Sequence, residues 1–99
     1  MNLSSQLKIH KNIKFTKLMK LEIAVGHYPT QLYFVCTSKN DSAIFEIVKG
    51  KYLNKTYKNC YLVALAEDKQ TAVEFTSDFI DLIYNRKIIS LADLKEKRK

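Results

Sequence analysis

The sequence predicts an α+β domain: an antiparallel β-meander of four to five strands, then a long amphipathic helix packed on one sheet face and a short terminal helix. Three observations carry this reading. Apolar and polar residues alternate over 7–25, and aromatic and β-branched runs recur at 31–37, 43–48 and 60–66. Apolar residues between Ala72 and Ile83 then fall three and four apart.

The stretch LKIHKNIKFTKLMK, residues 7–20, sets a lysine at positions 8, 11, 14, 17 and 20. Three residues advance about 300° around a helix axis, so such lysines wrap the cylinder and share no face. In extended chain, alternate residues share a side. Eight of the ten odd positions from 7 to 25 are apolar, and seven of the nine even positions from 8 to 24 are polar. We therefore expect a strand over 13–25, preceded by a tight turn at His10-Lys11-Asn12. Lys8, Lys14 and Lys20 then share the solvent face. Lys11 sits in the turn, and Lys17 lies at an edge or bulge where its ammonium reaches water.

Gly26-His-Tyr-Pro29 reads as a turn. Strands follow at 31–37 (QLYFVCT) and 43–48 (AIFEIV), joined by a polar hairpin loop at 38–41. A basic connection, KGKYLNKTYKN, leads to the strongly apolar strand 60–66 (CYLVALA). Glu67 or Asp68 opens a helix over 68–87, with Ala72, Thr76, Phe79, Ile80 and Ile83 on its apolar face and Val73 and Leu82 widening it. Acids at its start and Arg86 and Lys87 at its end suit the helix dipole. Ser90 with Asp93 resembles a capping box and starts a last helix over 90–97, anchored by Leu91 and Leu94.

Residues 1–99 are expected to form one small domain, since two glycines and one proline leave no linker to divide it. The apolar run Tyr61–Ala66 falls far short of the roughly 20 residues of a membrane span. The start, MNLSSQLK, shows no basic segment followed by an apolar one, so a cytoplasmic location is expected. Cys36 and Cys60 lie in apolar runs and read as small buried hydrophobes, with a disulfide or a reactive thiol as the alternative. Neither they nor His10 and His27 have zinc-ligand spacing, and no metal or cofactor is expected. The acids of the long helix suit solvation and dipole matching better than acid–base chemistry. Two glycines supply neither a phosphate loop nor a nucleophile elbow, so no enzyme is expected.

Charge is more informative. Residues 1–60 hold ten lysines against three acids, a net of +7, whereas residues 61–99 balance to zero. Such asymmetry favours a polyanionic partner. The connection 49–59 sets Lys49, Lys51, Lys55 and Lys58 among Tyr52 and Tyr57 and carries no acid. Lysine neutralises phosphate and a tyrosine ring stacks on an unpaired base, the combination that binding to single strands needs. A solvated loop whose tyrosines tuck against the sheet is the alternative. Tyr28, Tyr33 and Tyr61 extend a stacking platform if they share an outer sheet face.

The expected function is therefore that of a small basic, non-enzymatic nucleic-acid-binding accessory protein, a homodimer that binds DNA ahead of RNA. Its contacts are Lys8, Lys14, Lys17, Lys20, Lys49, Lys51, Tyr52, Lys55, Tyr57 and Lys58, on strands and loops rather than on a major-groove helix. The order of strands followed by one helix over 13–87 resembles single-strand binders of the Whirly type, which implies a sheet-borne nucleic-acid surface and assigns no residue. The alternative is a protein-interaction module, such as a small regulator or inhibitor encoded by a mobile element, that docks an acidic protein. The nucleic-acid reading requires that residues 13–25 be extended and that their lysines stand together, free of carboxylates.

Overall fold

The computed structural model describes residues 1–39 and 43–97. Strands β1 (Asn2–Ile9), β2 (Tyr33–Thr37), β3 (Phe45–Lys49) and β4 (Tyr61–Ala66) form one sheet in the order β1-β4-β2-β3. Three of these fall within two residues of the bounds expected for 31–37, 43–48 and 60–66. Part of the hairpin loop expected at 38–41, and Arg98 and Lys99 of the tail, lie outside the described residues.

The sheet is mixed, which corrects the expected antiparallel meander. β2 runs antiparallel to β3 and β4, but β1 lies parallel to β4. Parallel pairing needs a crossover, and here the whole chain from residue 10 to 60 supplies it. No local alternation reports such a contact. β1 is also irregular: Leu3 pairs with Leu62, yet Lys8 already pairs with Ala64. Within that bulge Ser4 is fully buried and its Oγ accepts the Gln6 N–H at 3.1 Å.

The strand expected over 13–25 is not formed. Residues 13–16 lead into helix α1 (Lys17–Ala24), capped by Thr16, whose Oγ1 accepts the Met19 N–H at 3.1 Å. The alternation was ambiguous, because residues four apart also share a parity. Phe15, Met19 and Ile23 lie four apart and do pack inward, Met19 and Ile23 as neighbours on α1 and Phe15 from just before its cap. Leu21 and Val25, counted on the same strand face, are instead exposed. Seven of the eight residues of α1 are lysine, leucine, methionine, glutamate or alanine, all good helix formers, and Ile23 is the exception. Gly26 stops it at φ 89°, with its N–H donating to Ile23 O and that of His27 to Glu22 O, a Schellman ending.

Helix α2 (Lys69–Ile80) starts where expected, on Asp68, whose Oδ1 accepts the Thr71 N–H at 2.7 Å. It continues through a π-helical turn, Asp81–Asn85, and so spans 17 residues rather than reaching 87. Lys87 then takes a left-handed φ of 53° and breaks the run. The Ser90–Asp93 capping box is present, but helix α3 (Leu91–Leu94) has only four residues rather than extending to 97.

Both sheet faces are covered. Phe34, Cys36, Leu62 and Leu65 pack with Ile23 of α1, Tyr57 and Cys60 on one side. Val35, Val63, Ala64 and Ala66 pack with Ala72, Phe79 and Leu94 on the other. A register shift between Val35 and Cys36 lets consecutive Val63 and Ala64 face the same way. Each fully buried Phe or Leu contributes about 2 kcal/mol. Among the described residues β2 and β4 are covered on both faces and only the β3 end beside Tyr33 stays open, so a broad stacking platform across the sheet is not formed, and the likeness to a Whirly-type sheet lapses.

Candidate functional site

The antiparallel register opposes Tyr33 to Lys49, and both lie on the sheet face that α2 covers. Lys69, the first residue of α2, sits above the same end of the sheet. Immediately after β3, Gly50–Tyr52 forms a 3-10 turn, pinned by Gly50 N–H to Leu32 O at 2.8 Å and Lys51 N–H to Thr30 O at 3.2 Å. Only glycine fits at position 50, since a Cβ there would lie 1.8 Å from Pro29 O and 2.8 Å from Pro29 C.

These elements enclose a cleft of about 410 Å³ lined by Tyr33, Ile47, Val48, Lys49, Lys51, Tyr52 and Lys69. Its lining contains three ammonium groups, two phenol rings and no carboxylate. Lys49 Nζ stands 5.7 Å from the Tyr33 ring centroid, and Lys51 Nζ 4.9 Å from that of Tyr52. Tyr52 is 64% exposed, so its ring can accept a stacked partner. The nearby Asp68 is occupied in capping α2, and its hydrogen bonds with Thr71 hold its carboxyl below the usual range.

The ten residues expected to form the interface separate into groups. Lys49, Lys51 and Tyr52 meet in this cleft. Lys55 and Lys58 line another of about 400 Å³, beside Val25, Gly26 and Tyr28 at the end of α1. Lys8 lies on the α2 side, 3.6 Å from Asp78 and 5.7 Å from the ring centroids of both Phe75 and Phe79. Lys14 and Lys17 are exposed at the start of α1, while Lys20 is half-buried with its Nζ 5.7 Å from the Phe15 ring. None of Lys8, Lys14, Lys17 and Lys20 lines the cleft.

Tyr57 is buried, which removes it as a stacking ring. Its O–H donates to Glu46 Oε1 at 3.2 Å, and Lys39 Nζ stands 4.4 Å from its ring centroid. Glu46 Oε2 also accepts the Lys39 N–H at 3.0 Å and the Ser38 O–H at 3.3 Å. Burial and the Glu46 carboxylate together push the Tyr57 phenol up to about 12. These residues build a buttress for β3.

Sequence reasoning missed Lys69, because it begins a helix read as acidic. Tyr33 was singled out only as part of an open sheet face. The signal was the odd-position pairing of Tyr33 with Lys49, visible once the hairpin register is set.

Cys36 and Cys60 are free and buried. Desolvation pushes the Cys36 thiol up to about 12 and raises that of Cys60, so neither is a nucleophile near neutral pH. His10 is not simply solvated: its Nδ1 accepts the Glu67 N–H at 3.1 Å and its ring meets Phe75 edge-on. Among the described residues no three His, Cys, Asp or Glu side chains gather as metal ligands, and no helix is long and apolar enough to cross a membrane.

Compared with known proteins, the chain matches no family model, no curated protein and no solved structure.

Proposed function

We propose that this chain is a small basic nucleic-acid-binding accessory protein without catalytic activity, which takes DNA at the cleft of Lys49, Lys51 and Lys69. The observation that carries the reading is that this lining holds three lysines and two tyrosine rings and no acid. Phosphates would meet the ammonium groups, and an unpaired base would stack on Tyr52. The condition that residues 13–25 be extended fails at α1, so the lysines of 8–20 leave the interface and the proposal rests on the cleft.

Binding is tested by fluorescence anisotropy with single- and double-stranded oligonucleotides at near-physiological salt. Tyr52→Ala should weaken single-strand binding by about 1–3 kcal/mol, the worth of one stacked base. An unchanged affinity in that variant would remove the stacking role. A protein that shifts no oligonucleotide would remove the proposal.

A second reading, docking of an acidic protein, is favoured by the edge of the sheet. Ser38 N–H bonds to Ile44 O and Gly50 N–H to Leu32 O, which fixes the alternation of the β2–β3 ladder. Phe45, Ile47 and Lys49 therefore turn their backbone N–H and C=O groups outward, where an extended acidic segment could add beside the lysines. An acidic peptide that binds while oligonucleotides do not would decide for this reading.

A further inference from the structure

Helix α1 and its C-terminal cap expose Leu18, Leu21 and Val25 at 66%, 62% and 63%. Their spacing of three and four puts them along one side of the helix, away from the inward Met19 and Ile23. A second stripe runs along α2 and its π-helical extension, where Val73, Ile80 and Tyr84 are 45%, 40% and 51% exposed. Single exposed apolar side chains are ordinary, but two aligned stripes on one small domain call for partners. Because α1 and α2 cover opposite sheet faces, a molecule cannot bury one stripe with its own other stripe.

The segments that carry them have opposite net charge. Residues 11–22 hold four lysines against Glu22, a net of +3. Residues 67–85 hold five acids against Lys69, a net of −4. Of those acids, Asp78 also faces Lys8 within its own chain. Segments of opposite net charge carrying the two stripes suit the stripes to each other and oppose either to itself.

We infer that the α1 stripe of one copy docks on the α2 stripe of a second copy. The contact is heterologous: each molecule in a pair keeps one stripe free, so association continues head to tail rather than closing as a two-fold dimer. This differs from the closed homodimer expected from sequence; the α2 stripe begins at Val73, one turn beyond the cleft residue Lys69, so association is measured without nucleic acid present.

The test measures mass by light scattering across protein concentration, on protein freed of nucleic acid, for wild type, Leu21→Asp and Ile80→Asp. Wild type should grow beyond a dimer with concentration, and less so at high salt. Each variant alone should stay monomeric. An equimolar mixture should form one-to-one dimers and nothing larger, because Leu21→Asp keeps a working α2 stripe and Ile80→Asp a working α1 stripe. Circular dichroism checks that both variants fold, and Leu18→Gln with Val73→Gln replaces the pair if either does not. Wild type that stays monomeric at the highest attainable concentration overturns the inference. So does a variant that associates by itself, or a mixture that recovers no dimer.

Discussion

The carbonyl oxygen of Pro29 occupies the place that a side chain at Gly50 would need, 1.8 Å from where its Cβ would be. This close approach closes the end of β3 onto the preceding loop and sets Lys51 and Tyr52 beside the cleft. Gly50→Ala must push backbone against backbone. A loss of about 3 kcal/mol is expected, within the range of strain at a special site. Urea unfolding measures it, and a change under about 0.5 kcal/mol, ordinary for an unconstrained position, would contradict it. The same variant should lose oligonucleotide affinity, because the turn that carries Lys51 and Tyr52 moves.

Tyr57 and Glu46 tie the second 3-10 turn to β3. Tyr57→Phe removes the donor to a half-buried carboxylate and should cost about 1 kcal/mol. The pH dependence follows from the phenol being raised in the folded state. Its contribution is fully present below the ordinary tyrosine value of 10 and declines as pH rises through about 12. Wild type should therefore lose stability over that alkaline window more steeply than Tyr57→Phe. Parallel curves would show that Tyr57 is not the group responsible.

Asp68 acts at the opposite end of the pH scale. Its carboxyl is held below the usual range, so its stabilising effect is present above the unfolded carboxylate value and is lost as pH falls through the folded one. Asp68→Ala should lower the melting temperature at neutral pH by removing the cap of α2. The gap between variant and wild type should close in acid. A gap that persists at the lowest pH where both fold would point to something other than the ionised cap.

The two thiols should be silent in the native protein. A thiol-specific colour reagent should report none of the two cysteines at neutral pH and both after denaturation in urea. Rapid labelling of the folded chain would contradict the desolvated setting of one or both thiols.

Strands β2 to β4 were legible because each is a short apolar run bounded by turn residues, and α2 because its acids and apolar spacing agree on where it starts. The Ser90–Asp93 box was readable in the same local way. What escaped was non-local or degenerate. β1 gains its place by lying parallel to β4, more than fifty residues away, and by a bridge from Ser4 to Lys97 on its other side. α1 hid in a pattern where a spacing of four mimics a spacing of two, and its Thr16 cap and Gly26 stop outweighed the alternation. In the site, Lys49, Lys51 and Tyr52 were readable as a basic tyrosine-bearing connection. Tyr57 was not separable from Tyr52, since only the fold turns one ring onto Glu46 and leaves the other in solvent. Lys69 joined the cleft through helix placement that no local pattern encodes.

The salt dependence of single-strand binding is the most direct measurement, compared between wild type, the triple variant K49Q/K51Q/K69Q and the triple variant K14Q/K17Q/K20Q. Each phosphate neutralised on a single strand adds about 0.7 to the slope of log affinity against log salt, so losing the three cleft lysines should flatten it by about 2. The α1 triple variant should keep the wild-type slope. Equal slopes for wild type and the cleft variant, or a flattened slope only in the α1 variant, would contradict a nucleic-acid site between Lys49, Lys51 and Lys69.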